Sequence, residues 1–349
     1  MNKKDFINFS KTIGSRLYLF FVFCIAVPFL LIWCTLVIKF TFPSILQTPL
    51  SIAFPLISII LLLSLKDLSK SLKTFCLICL AIMIYYISIT PSLDRDWTED
   101  VAVLPEVSIN GREVEIKNFR NFTYQSKNSF ESKYEDRVYK LDDLEGADFI
   151  ISYWDNFRSI GHTFISFRFK NQKPICISVE VRKEKGEKYH PVKGLFKQYE
   201  LIYVIGDERD LIPLRTNHRA EETFLYPLTI NKQESETFLL SLLKGVQGIN
   251  NKPEFYHSLD KNCTTTLVKH INAVPNFKVK VNLDLILNGL SDYAVYKMEG
   301  TTNELNFTVL KQCCYISKLA RSLPLDEDFS KNLRKSVNQK ISFELNQAK

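Results

Sequence analysis

The chain has 349 residues, 46% hydrophobic and 13% aromatic, with a formal net charge of +7 from 45 lysines and arginines against 38 aspartates and glutamates. That much apolar and aromatic material supports a packed core and excludes disorder as the main class. The first 93 residues hold eight basic and two acidic residues, an excess of +6, and the remainder holds 37 against 36; this excludes a uniformly basic nucleic-acid binder and a wholly soluble protein.

Three uncharged stretches fill that first part, at 17–38, 40–65 and 74–93. Each supplies the roughly 20 apolar residues with which a helix crosses about 30 Å of hydrocarbon. Only a helix satisfies its own backbone there. We expect a membrane domain over 1–93 with three transmembrane helices, at about 17–38, 42–65 and 73–92. Pro28 and Pro55 fall inside the first two, where a kink is tolerated. The first stretch is too long for a signal-peptide core and lacks a small-residue cleavage site, so it reads as an uncleaved anchor. Seven basic residues lie in the N-terminal tail and the second loop, and the first loop carries only Lys39. Basic loops stay cytoplasmic. The N-terminus is therefore expected in the cytoplasm and everything after Pro91 on the far, extracytoplasmic side, read as the periplasm; two spans plus a buried hairpin would reverse this. Cys76 and Cys79 are spaced CxxC, but in an apolar helix this reads as packing rather than metal or redox chemistry.

From Asp94 to about Gly300, short apolar runs alternate with polar turns. Expected strands are 113–117, 149–154, 162–169, 175–182, 199–205 and 223–230, rich in β-branched and aromatic residues. Lys170-Asn-Gln-Lys173 joins two of them as a hairpin. Residues 234–247, with Phe238, Leu239, Leu242 and Leu243 at helical spacing, read as a helix, and 264–274 as another. Strands first and helices after predict an α+β domain over 94–300. Residues 301–349 read as a mixed helical extension with a charged tail.

Five histidines and the cysteines Cys176, Cys263, Cys313 and Cys314 remain for chemistry. No Cys or His pair has zinc-ligand spacing and HExxH is absent, so no metal or other cofactor is expected. A disulfide among the four cysteines could form in an oxidising compartment. Cys263 stands apart by its setting. Asn262 is a strong N-cap before a helical pattern, which places Cys263 and Thr264 in a first helical turn. The positive end of a helix favours thiolate, and the backbone amides there could hold an oxyanion. A thiolate nucleophile needs a base held on a rigid neighbour. His162 opens the run Gly161-His-Thr-Phe-Ile-Ser-Phe167 and is the best candidate, with His190, His218, His257 and His270 as rivals. A hairpin turning at Asn171-Gln172 would bring Glu180 opposite His162, in the place of a third triad member. The bland reading stands beside this one: a lone cysteine at a helix start is usually a small buried filler. Arg182, Arg209 and Arg215 lie among acidic residues, either as structural ion pairs or as a lipid-phosphate pocket.

A set of ordered motifs carries a resemblance. They are Asn118-Phe-Arg-Asn-Phe-Thr-Tyr124, Gly161-His-Thr-Phe-Ile-Ser-Phe167, Ser178-Val-Glu-Val-Arg-Lys183, Tyr199-Glu-Leu-Ile-Tyr203 with Asp207-Glu-Arg-Asp210, Leu214-Arg-Thr216, Asn262-Cys-Thr-Thr265 and Asp328-Phe-Ser330. Together the stretch resembles the Lnb N-terminal periplasmic domain family, named for bacterial lipoprotein N-acyltransferases that use a cysteine and a histidine. The resemblance implies Cys263 and His162 as that pair, and the order His before Asn-Cys is similar to permuted papain-like thiol enzymes. In the family's namesakes the thiol domain precedes the membrane helices; here the helices come first.

The resulting expectation is a membrane-anchored periplasmic cysteine acyltransferase. It would take an acyl chain from a phospholipid and pass it to an amine, such as the N-terminal cysteine of a diacylated lipoprotein. A thiol hydrolase or amidase, or a non-catalytic membrane-anchored binding module, are the alternatives; nucleic acid is not an expected partner.

Overall fold

The computed structural model describes residues 21–63, 67–154, 160–275 and 277–347. Two compact units divide the chain. One holds the described residues up to Pro91 together with Phe196–Gln198, and the other is built from Ser92–Leu195 and Tyr199–Lys349.

The first unit contains three helices long and apolar enough to cross a membrane, Val22–Thr41, Ser44–Leu63 and Leu68–Ser88. The expected beginning of the first span, 17–20, and the last two residues of the second, 64 and 65, lie outside the described residues. The first span opens with a widened π turn, Val22–Ala26, before the regular helix α1 (Val27–Thr41) with Pro28 in its first turn. The wider turn accommodates the missing proline N–H and its ring. The second helix, α2 (Ser44–Leu63), contains Pro49 and Pro55, and Asp67 caps the third, α3 (Leu68–Ser88), by accepting from Lys70 N. Cys34, Val37 and Phe75 are buried between these helices, while Phe29, Leu63 and Ile84 point outward. That is the pattern of a bundle whose solvent is lipid. Cys79 packs with Cys34 and Cys76 faces outward, so the CxxC spacing serves packing.

The second unit is an α+β domain around an eight-stranded mixed sheet. Its strands are β1 (Glu106–Asn110), β2 (Glu113–Arg120), β5 (Tyr134–Lys140), β6 (Leu144–Tyr153), β7 (Gly161–Phe169), β8 (Ile175–Arg182), β9 (Glu200–Gly206) and β10 (Glu222–Pro227), and β3 (Thr123–Ser126) with β4 (Ser129–Glu131) makes a separate hairpin. The order is β1-β2-β9-β8-β7-β6-β10 with β5 on β2. Every pairing is antiparallel except β2 with β9, which meet in parallel at Arg120 and Gly206. Strands β6 to β9 are buried almost throughout, which explains their near-continuous apolar texture. All six expected strands occur, lengthened or shifted by a few residues. The strands not anticipated are β1, β3, β4 and β5, short or charged and largely exposed.

Helix α4 (Glu208–Pro213) follows β9 and passes into a π turn, Leu214–His218. Helix α5 (Lys232–Asn251) begins with an Asn231/Glu234 capping box. In its middle, a Cβ on Gly245 would fall 2.7 Å from His270 Cε1 and 2.8 Å from Tyr203 Oη. The glycine therefore lets α5 approach α6 (Cys263–Ile271) and β9 closely. Two short helices, α7 (Leu283–Ile286) and α8 (Ser291–Lys297), form a cap after α6. The chain ends in α9 (Phe307–Cys314), α10 (Ser317–Ser322) and α11 (Phe329–Gln347). Phe329, Leu333 and Val337 are wholly buried in the same core as the strands. Helices α9 to α11 thus contribute to the domain's core.

Candidate active site around Cys263

The β7–β8 pairing runs Phe164 with Ser178 and Ser166 with Cys176. Continued by one pair of steps, the same register sets Glu180 opposite His162. The hairpin geometry read from Asn171-Gln172 leads to this same alignment. Gly161 fits tightly just before the ring: a Cβ there would lie 3.2 Å from Ser152 O and 3.3 Å from Ile151, so those neighbours would have to give by a few tenths of an ångström.

Cys263 is the first residue of α6. Asn262 Oδ1 accepts from Thr265 N at 2.9 Å while Thr265 Oγ1 accepts from Asn262 N at 3.0 Å, a reciprocal capping box. Asn262 Nδ2 donates to Ser258 O and Ile286 O at 3.0 and 3.2 Å. The cap residue therefore fixes the helix start to the loop before it and to the cap segment after it. Thr264 Oγ1 meets Thr163 Oγ1 at 2.9 Å, pinning α6 to β7 one residue after each reacting group. The thiol of Cys263, itself 4% exposed, is close enough to the His162 ring for the two groups to couple electrostatically.

On its other side the imidazole is held by two partners. His162 Nε2 lies 2.7 Å from Ser178 Oγ and 3.1 Å from Glu180 Oε1, and Ser178 Oγ donates to Glu180 Oε1 at 2.7 Å. With Nε2 engaged there, Nδ1 is the nitrogen that remains for the sulfur. Arg215 Nη2 donates to Glu180 Oε1 at 2.7 Å, Arg215 Nη1 donates to Leu211 O at 2.8 Å, and the guanidinium lies over the Phe164 ring.

Electrostatics follow from this arrangement. Burial, the largest single effect, would lower the imidazole pKa and Arg215 adds to that, but the Glu180 carboxylate and the Cys263 thiolate together outweigh them, and His162 is raised to about 9. Burial would raise the Cys263 thiol, yet the attraction of His162 brings it below the ordinary thiol value. Glu180, despite burial, is held well below the usual carboxylate range by His162, Arg215 and Ser178. The site thus favours a thiolate–imidazolium pair, the reactive form of a cysteine nucleophile.

The rival histidines are engaged elsewhere. His270 sits between Tyr203 Oη at 2.6 Å and Ser241 Oγ at 2.9 Å, and burial lowers it to about 4. His257 pairs with Asp260, His190 Nδ1 accepts from Val192 N, and His218 packs at a tilt against Tyr124. Cys176, Cys263, Cys313 and Cys314 are free thiols. Arg209 is paired with Asp207 and Arg215 with Glu180. Arg182 donates to the carbonyls of Val101 and Ala102 and lies over the Trp97 ring.

Two participants were not visible in the sequence reading. Ser178 is one serine among many until the register is known. Asn288, at a left-handed φ of 59°, places its side-chain amide 3.4 Å from Cys263 Sγ. With its NH2 toward Leu285 O and Thr264 Oγ1, 2.9 Å each, its oxygen faces an S–H donor. Turned over, the NH2 donates to the sulfur as a thiolate would require. A cleft of about 280 Å³ opens at the sulfur, with Asp100, Arg120, Lys183 and Arg219 on its walls. Behind α6 lies a second, almost wholly apolar cavity of about 80 Å³, lined by Phe149, Thr264, Leu267, Val268, Leu285 and Val295 among others.

Residues 130–296 match the family model of the Lnb N-terminal periplasmic domain. That stretch is therefore similar to the Lnb N-terminal periplasmic domain. The match encloses His162, Ser178, Glu180, Arg215, Cys263 and Asn288, while the 118–124 and 328–330 motifs lie outside it. No curated protein and no solved structure matches the chain. The Lnb-like stretch follows three membrane-length helices, so the protein is a membrane protein with a periplasmic domain.

Proposed function

We propose that this protein is a cysteine acyltransferase of the lipoprotein N-acyltransferase type, anchored in the bacterial inner membrane with its N-terminus in the cytoplasm. The observation that carries the reading is the relay from Cys263 through His162 to Ser178 and Glu180, with the thiol at the start of a capped helix. Cys263 thiolate attacks the carbonyl of a phospholipid acyl ester. The amides of Cys263 and Thr264, first in α6 and ahead of any intrahelical acceptor, face the developing oxyanion. As the tetrahedral adduct collapses, the C–O bond breaks and His162 gives its proton to the leaving lysophospholipid oxygen. An amine, such as the N-terminal amine of a diacylated lipoprotein, then attacks the thioester; His162 takes its proton, and the thiolate leaves as the amide forms. No cofactor enters this scheme.

Mass spectrometry of lipoprotein N-terminal peptides tests it, in a host lacking other N-acyltransferases. Wild-type protein should produce N-acylated peptide and Cys263→Ala should not. N-acylation that persists with Cys263→Ala sinks the proposal. The charged walls of the cleft favour a second reading, in which water accepts the acyl group or a peptidoglycan amide is cleaved. A lipid hydrolase would release lysophospholipid and free fatty acid and leave the peptides unacylated.

A further inference from the structure

The cap that follows α6 is apolar on both sides. Its inner side packs Leu285 and Ala294 against Val268, with Val279 beside them, and contributes Val279, Leu285, Val295 and Met298 to the wall of the apolar cavity. Its outer side carries Leu283 at 73% exposure, Leu287 at 50% and Leu290 at 43%, joined by Val281, Tyr293 and Met298. Six large exposed apolar side chains within eighteen residues form a patch, where scattered single ones would call for no explanation. Lys278, Lys280, Lys297 and Glu299 are exposed around it, and Asp284 is the half-buried acidic residue within it.

We infer that residues 279–298 form a lipid-docking face whose partner is the surface of the bilayer in which the chain's own helices are anchored. Three observations favour lipid over a protein partner. The last membrane helix ends at Ser88 and the domain begins at Ser92, so the chain keeps this domain at a bilayer surface. The patch is also continuous with the apolar cavity through the cap's own residues. That space, about 80 Å³, has an almost wholly apolar lining, which suits an apolar group rather than water. Finally, Asn288 belongs to the same segment and touches the thiol, so a lipid engaged by the cap is delivered beside Cys263. The lysines at the rim can extend their amines to headgroup phosphates while their stems lie on apolar surface. Docking goes beyond the acyl-transfer reading, because the face would seat on lipid whichever acceptor takes the acyl group.

The test is physical rather than catalytic, so it separates docking from chemistry. Full-length Leu287→Trp and, independently, Leu283→Trp are placed in nanodiscs of phosphatidylethanolamine and phosphatidylglycerol, with plain or brominated acyl chains. Both positions are exposed, so neither substitution disturbs the core. Fluorescence of the parent chain is subtracted, and Val138→Trp, on exposed β5, serves as the control. An interfacial apolar face lies about 5–10 Å into the headgroup–acyl boundary, so bromine should cut the added signal by roughly half at 287 and 283 and leave that at 138 unchanged. Unquenched signal at both cap positions overturns the assignment. So does a spectral shift in plain lipid that grows with the number of copies per disc, which would give the face to a second copy of the chain.

Discussion

At the scale of single residues, the site stands on one carboxylate acting through one ring. Glu180 holds a proton on His162 and His162 holds charge on Cys263, so removing Glu180's charge should act at both ends. Imidazolium is present below about 9, so transfer that needs His162 as an acid should fall as pH rises through that value. At the acidic end, activity should rise as the thiol, lowered by His162, ionises. In Glu180→Gln the basic limb should move down toward the ordinary histidine value of about 6.5 and the thiol upward, cutting alkylation of Cys263 at pH 7 by roughly tenfold. Iodoacetamide labelling read by mass spectrometry on the Cys263 peptide measures this without an acyl substrate. An unchanged rate would show that Glu180 only braces the strand. Asn288→Asp should likewise slow alkylation, since a second carboxylate beside the sulfur disfavours thiolate. Cys263, His162 and Glu180 could be picked from sequence because each depends on a local cue: a cap, a strand start and a hairpin register. Ser178 and Asn288 could not, since their roles arise from where the sheet and cap place them. Arg215 was noticed but left between two roles; its 1% exposure and bond to Glu180 belong to a part of the relay that only tertiary packing shows.

Among elements, α6 and α11 carry the most consequence. Asn262 caps α6 and bonds two neighbouring segments, so Asn262→Ala should cost about 1 kcal/mol or somewhat more. It should also raise the thiol pKa, because the helix start no longer holds Cys263 against His162. Asn262→Ser retains an acceptor for Thr265 N and should recover most of both effects, which thermal unfolding and thiol alkylation would report separately. Helix α11 matters differently. Arg334 donates to Asp148 and Glu208, both fully buried, at 2.8 and 2.5 Å, and Arg168 also pairs with Asp148. Removing one partner of a buried ionic cluster leaves charge uncompensated, so Arg334→Ala should destabilise the domain by about 3–5 kcal/mol. Chemical denaturation of the detergent-solubilised chain checks the figure, and a loss below about 1 kcal/mol would mean that water replaces the arginine. The core strands were legible because burial on both faces gives uninterrupted apolar runs. By contrast, β1, β3, β4 and β5 were hidden by exposure, since half-solvated strands with charges carry little pattern. The C-terminal helices announced themselves as helices, but their place in the core did not, because Phe329, Leu333 and Val337 are sparse apolar positions in a charged stretch.

For the whole molecule, the net charge of +7 separates into a strongly basic membrane segment and a nearly neutral periplasmic domain. The three spans were legible because length and the absence of charge suffice, and Val22–Thr41, Ser44–Leu63 and Leu68–Ser88 occupy the apolar stretches. Orientation is a consequence of the loops rather than of the helices. Lys66, Lys70 and Lys73 follow the second span and Lys39 alone follows the first, a bias that should retain the second loop in the cytoplasm and export whatever follows the third helix. Single cysteines introduced at exposed sites make this measurable against the parent background. In intact spheroplasts, an impermeant maleimide should label Val138→Cys at once and Lys70→Cys only after lysis. Replacing Lys66, Lys70 and Lys73 by glutamine removes most of the bias from that loop and should leave part of the population with Val138→Cys protected. If Val138→Cys is protected in the wild-type background, the domain faces the cytoplasm. The thiol would then work in a reducing compartment, and lipoprotein N-termini exposed outside the membrane could not be its acceptors.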